Sequence, residues 1–123
     1  MQGFSFWVFI AWLLFLAINF SSSGNWLAAL GCLAIIAGAI CNKIAVTSNG
    51  GKMPVIDDKD PFIARRFQGS SMHKAADEHT RFRFLVDRFT VRLKNRTLHA
   101  SIGDLAIFAG LYVAAGASIA HAI

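Results

Sequence analysis

The chain has no charged side chain before Lys43, and after Arg96 it has one, Asp104. Apolar stretches without charge are foreign to the surface of a soluble globule and native to a bilayer. The same absence argues against a cleaved signal peptide, whose leading region needs Lys or Arg, and for a retained anchor. Cysteine is scarce too. Cys32 and Cys41 are separated by nine residues, which on a helix is about 13.5 Å of rise and about half a turn. They are too far apart for a disulfide and read as small apolar packing residues. There is also no G-x-x-x-x-G-K-[ST] loop, which excludes a P-loop nucleotide site.

What is present is segregated. Of 123 residues 55% are hydrophobic, and they fall in blocks. All 12 Lys and Arg, and every acid but Asp104, lie between Lys43 and Arg96, giving that block a net charge of +6. Such a block suits an anionic partner. In so apolar a chain the expected partner is the bilayer and its anionic headgroups, not nucleic acid.

The hinge of the sequence is Asn42 to Val55, NKIAVTSNGGKMPV. There an apolar segment ends, the first charge appears, and two glycines and a proline stop further helix. The reading is one membrane domain over residues 1–123, with spans at 3–20, 26–46 and 102–122 and a polar block at 47–100. Each span has about the length a bilayer core requires. Ser21 to Asn25 is a tight polar turn that forces the first two spans to be antiparallel. Ala34, Gly38 and Asn42 form a small-residue face on the second span. Ala106, Gly110, Ala114 and Ser118 form a fuller one on the third. These two faces are predicted to pack together. The positive-inside rule puts the polar block and the amino terminus in the cytoplasm and the carboxyl terminus outside a bacterial inner membrane.

Within the block, Ala75, His79, Phe82, Val86, Phe89 and Leu93 recur at spacings of 4, 3, 4, 3 and 4. This predicts a basic amphipathic helix from Met72 to Lys94 lying in the headgroup layer. The expected class is therefore all-α, three transmembrane helices plus a basic amphipathic interfacial segment. A competing pattern exists. Phe89, Val91 and Leu93 alternate at period two, and Lys94-Asn95 can turn a hairpin.

Several residues are candidates for function. Asn49, Gly50, Gly51 and Lys52 can cradle a phosphate, or simply cap the second helix. Arg65, Arg66, Arg81, Arg88 and Arg92 are expected on lipid headgroups. His73, Asp77 and His79 do not make a metal site on a helix, because His79 lies on the opposite side from His73. No metal and no cofactor is expected. Ser101 and Asp104 form a capping box for the last helix, yet an acid at the mouth of a span is also a candidate functional group. Asp87 and Asp104 are the two candidate catalytic acids.

NGGKMPV at 49–55, HTRFRFLVD at 79–87 and SIGD at 101–104 together resemble a family of small bacterial integral-membrane proteins of unknown function. That resemblance covers roughly residues 42–116 and implies a membrane fold but no chemistry. A shorter likeness is to the lipoprotein signal peptidases, four-helix aspartyl enzymes. Asp87-Arg88 is similar to their Asp-Arg motif and Asp104 to their second aspartate, which implies a proton-sharing acid pair that activates water. Three function classes follow. The preferred one is a non-catalytic accessory or assembly module that meets other membrane subunits or copies of itself. The others are a membrane enzyme or lipid-phosphate binder using Asp87 and Asp104, and a holin-like pore.

Overall fold

The computed structural model describes residues 3–57 and 59–122. Residues 1, 2, 58 and 123 of the expected domain lie outside the described residues. Three helices are long and apolar enough to cross a membrane: α1 (Gly3–Ser22), α2 (Trp26–Ser48) and α4 (Ile102–Ala122). Between α2 and α4 come β1 (Met53–Val55), the single-turn α3 (Ile63–Arg66), β2 (His73–Ala75), β3 (Phe89–Arg92) and β4 (Thr97–Ala100). The chain divides into two compact units, Met1–Ala39 with Ala106–Ile123, and Ile40–Leu105.

In the first unit the turn between α1 and α2 is a Schellman motif. Gly24 has φ +84°, and the Asn25 N–H donates to Phe20 O at 2.8 Å while Gly24 N–H donates to Ser21 O at 3.1 Å. Only glycine takes that φ without strain. Asn25 then serves the next helix, its Oδ1 accepting from the Ala28 N–H at 3.3 Å as an N-cap. Its Nδ2 donates across to Ala117 O at 3.3 Å. Farther along, α2 and α4 touch backbone to backbone. A Cβ placed on Gly110 would lie 2.5 Å from Gly31 O and 2.8 Å from Ile35 Cγ1. A Cβ on Gly31 would lie 2.7 Å from both Ala114 N and Gly110 O. Gly110 and Ala114 belong to the predicted face of the last span. On α2 the close approach is made by Gly31, one turn before the predicted Ala34, Gly38 and Asn42. On α1 the buried residues Phe6, Ile10, Leu13 and Ala17 follow the helical spacing of one face.

The second unit is the polar head. Its core is Ala45, Met53, Leu85 and Val86, with Cys41, Val46 and Ile56 packed against it. β1 runs through the middle. It pairs in parallel with β2, Met53 opposite His73 and Val55 opposite Ala75. On its other side it meets Asp87, with Asp87 N–H donating to Pro54 O at 3.1 Å and Ile56 N–H to Asp87 O at 2.7 Å. Proline is rare in a central strand because it lacks a donor. Here the ladder uses the donors of Met53 and Ile56 and the oxygens of Pro54 and Val55, so no donor is required at Pro54.

The head corrects the all-α expectation. No amphipathic helix runs from Met72 to Lys94. That stretch holds β2, a turn at Asp77–Thr80, a 3-10 turn at Arg83–Leu85, and β3. Two physical causes override the helical spacing. Asp77 Oδ1 takes the His79 N–H at 2.8 Å, and Thr80 Oγ1 takes the Asp77 N–H at 2.9 Å, so side chains capture the amides a helix needs. Phe89, Thr90 and Val91 are strand formers, and they find a partner in Thr97–Ala100. β3 and β4 are an antiparallel hairpin, Phe89 opposite Ala100 and Arg92 opposite Thr97. Its loop is the Lys94-Asn95 pair of the competing pattern, closed by Leu93 N–H to Arg96 O at 2.8 Å.

Candidate functional site

The entrance of α4 is a closed polar network. Ser101 Oγ accepts the Asp104 N–H at 3.0 Å, and Asp104 Oδ2 accepts the Ser101 N–H at 3.1 Å, which is the capping box. Asn42, from α2, completes it. Its Nδ2 donates to Asp104 Oδ1 at 2.7 Å, and its Oδ1 accepts from Ser101 Oγ at 2.7 Å. Both carboxylate oxygens of Asp104 are therefore engaged.

Asn49 to Lys52 forms the end of α2. Gly50 and Gly51 have φ +79° and +89°, and the Gly51 N–H donates to Val46 O at 2.9 Å, another Schellman closure. Asn49 is buried. It donates through Nδ2 to Ala45 O at 2.7 Å and Arg81 O at 2.9 Å, and its Oδ1 accepts the Arg81 N–H at 2.8 Å. One amide thus pins a chain segment 32 residues away by imitating a strand partner. The next residue, Phe82, sits in the left-handed region at φ 52°, a conformation that costs a non-glycine residue about 1–2 kcal/mol.

Asp87 is different from Asp104. Its side chain is 4% exposed, and His73 Nε2 lies 3.5 Å from its Oδ2. Its Oδ1 is buried with no hydrogen-bond partner among the described residues. Burial, and secondarily the charge of Asp104, push its pKa up to about 7. Strand β1 causes this placement by pairing with Asp87 at the edge of the core.

A cleft of about 410 Å³ lies beside β3, lined by Ile56, Asp57, Lys59, Arg88, Thr90 and Arg92. Arg88, Thr90 and Arg92 share one face of the strand because alternate residues do. Asp57 is 3% exposed at its side chain and forms an ion pair with Arg92 through Oδ1. That oxygen also accepts the Lys59 N–H at 3.2 Å. Thr90 Oγ1 is 3.2 Å from His99 Nδ1, and partial burial pushes the His99 pKa down. Nearby, Asp60 takes the Phe62 N–H at 3.0 Å and pairs with Arg66 at 2.9 Å. The amide hydrogen bond, then Arg66, hold its carboxyl below the usual range.

A family model matches residues 1–115. The chain belongs to DUF5317, a family of unknown function. No curated protein and no solved structure matches it.

In this DUF5317 chain the fold separates the sequence candidates. Asp87 and Asp104 are near enough to interact electrostatically, but Asp104 is spent on the cap while Asp87 keeps an unpaired oxygen. The Asn49 side chain is committed to backbone groups, and Lys52 stands half-buried beside it. Arg65, Arg66, Arg81, Arg88 and Arg92 are all exposed. Among the described residues no cluster of three metal-ligating side chains occurs. The sequence reading missed Asp57, Lys59 and Thr90. The signal for Thr90 was the period-two pattern, which places it between Arg88 and Arg92.

Proposed function

We propose that the chain is a non-catalytic accessory module of a bacterial inner-membrane complex, anchored by three spans, whose cytoplasmic head lies flat on the anionic headgroups. One observation carries the reading. The β3–β4 hairpin presents Phe89, Val91 and Leu98 on one face at 43%, 55% and 45% exposure, although they are large and apolar. Val91 and Leu98 are opposite each other in the ladder, so the face is continuous. Exposed Lys94 and Arg96, in the turn of the hairpin, stand at one end of it, and Arg88 and Arg92 are on the opposite face of β3. An apolar face with cations beside it is the chemistry of an interfacial element. β4 also ends at Ala100, and the span α4 begins at Ile102, which tethers the hairpin to the membrane surface. The cytoplasmic placement rests on the charge bias of the loops.

The test is depth-dependent quenching in the full chain, reconstituted in vesicles containing anionic lipid. A fluorophore is attached at Val91→Cys or Asn95→Cys in a Cys32→Ala, Cys41→Ala background. Lipid-borne quenchers are expected to reach Val91, and aqueous iodide to reach Asn95. Equal iodide access at both positions means the head stands away from the bilayer.

A second reading, a membrane enzyme using Asp87 as an acid or base, is favoured by the unpaired Asp87 oxygen and the pKa of about 7. It predicts that Asp87→Asn abolishes function at normal abundance in the membrane.

A further inference from the structure

We propose that the cleft beside β3 binds a phosphate ester that carries a neighbouring hydroxyl group, the chemistry of a glycerophosphate headgroup. Among the described residues that line the cleft, Lys59, Arg88 and Arg92 are positively charged and Asp57 is negatively charged. The Arg92 guanidinium is oriented by its ion pair with Asp57, and a guanidinium has five donors, so others remain for a phosphate. Arg88 is two residues away on the same strand face and has no ion-pair partner among the described residues. Thr90, between them, is held by His99.

Charge alone would select any anion. Asp57 makes the site more selective. Its Oδ1 is satisfied by Arg92 and by the Lys59 N–H, but Oδ2 is buried with no partner among the described residues. A buried acceptor without a donor is unfavourable, so the ligand that relieves it best supplies a donor. A phosphodiester has no proton of its own to offer, whereas a hydroxyl one or two carbons away does. The cleft thus matches a phosphate paired with a hydroxyl better than a bare or alkylated phosphodiester. The group can come from a phosphatidylglycerol headgroup or from a soluble glycerophosphate. Only the lipid source rests on the surface reading given above.

The test is competitive lipid retention by the full chain in mild detergent, read by native mass spectrometry. The probes are phosphatidylglycerol, phosphatidylmethanol (the same charge without the hydroxyls) and soluble glycerol 3-phosphate. Wild type is expected to retain phosphatidylglycerol at least about tenfold better than phosphatidylmethanol. Displacement of the lipid by millimolar glycerol 3-phosphate assigns the natural ligand to the soluble source, and failure to displace it assigns it to the lipid. Asp57→Asn should erase the tenfold preference. Arg88→Gln should weaken retention of both lipids about equally, while Lys74→Gln, with the same loss of charge on β2 outside the cleft, should not. Equal effects of Arg88→Gln and Lys74→Gln, or equal retention of the two lipids by wild type, overturn the cleft and leave the hairpin reading intact. Loss of vesicle contact at Val91 with the lipid preference retained does the reverse.

Discussion

Asn42 and Asp104 are 62 residues apart in the chain and joined by a 2.7 Å hydrogen bond, with Ser101 bound to the other end of the same amide. One neutral side chain on α2 thereby completes the N-terminal cap of α4. Asp104→Asn keeps the shape but removes the charge that favours a helix N-terminus, and should cost about 0.3–1 kcal/mol. Asn42→Leu removes the donor to Asp104 Oδ1 and the acceptor of the fully buried Ser101 hydroxyl while the capping box itself remains, and should cost about 1–3 kcal/mol. Thermal unfolding in mild detergent checks both. The Asn42→Leu, Asp104→Asn double variant should lose less than the sum, because the two share one interaction.

Gly110 and Gly116 lie on the same helix in opposite circumstances. A methyl group at Gly110 collides with the backbone of α2, while at Gly116 it meets nothing within 4 Å. Gly110→Ala should destabilise by about 1–3 kcal/mol through overpacking. Gly116→Ala should be neutral or slightly stabilising, since alanine favours helix. Equal melting temperatures for the two variants would contradict the close approach of Gly31 and Gly110.

The buried carboxyl of Asp87 gives stability a pH dependence. Its folded pKa is about 7, against an ordinary value of 3.8. The folded state therefore holds this proton more tightly than the unfolded one. Its contribution is complete below about pH 4, falls between about 4 and 7, and is constant above, at a slope of at most about 1.4 kcal/mol per pH unit. Asp87→Asn should flatten that slope in melting curves between pH 4.5 and 8. An unchanged slope would assign the proton elsewhere.

Asn49 holds the left-handed turn at Phe82 by binding both backbone groups of Arg81. Asn49→Ala should release the turn while α1 and the rest of α2 persist. Trypsin should then cut after Arg81 and Arg83 at least about tenfold faster than in wild type, with helical circular dichroism nearly unchanged. Asn49→Asp keeps the acceptor for the Arg81 N–H but loses both donated bonds, and should fall between the two.

The three long helices were legible because a bilayer demands about 20 uncharged residues in a row, and no other structure writes that pattern. The capping box at Ser101 and Asp104 was legible because it is local, set by a spacing of three. The stops at Gly24 and at Gly50-Gly51 were legible for the same reason. The head was not. Residues 72–94 carry both a 3.6 and a 2.0 period, and local propensity cannot choose between them. The choice came from distant partners: Met53–Val55 pairing with His73–Ala75, and Asn49 clamping Arg81. The same distant pairing decided the two carboxylates. Sequence makes Asp87 and Asp104 equal candidates, one before each side of a hairpin and helix. Tertiary structure buried Asp87 against β1 without a full set of donors and gave Asp104 to Asn42. Burial and pairing across 62 residues are properties of packing, and no local pattern encodes them.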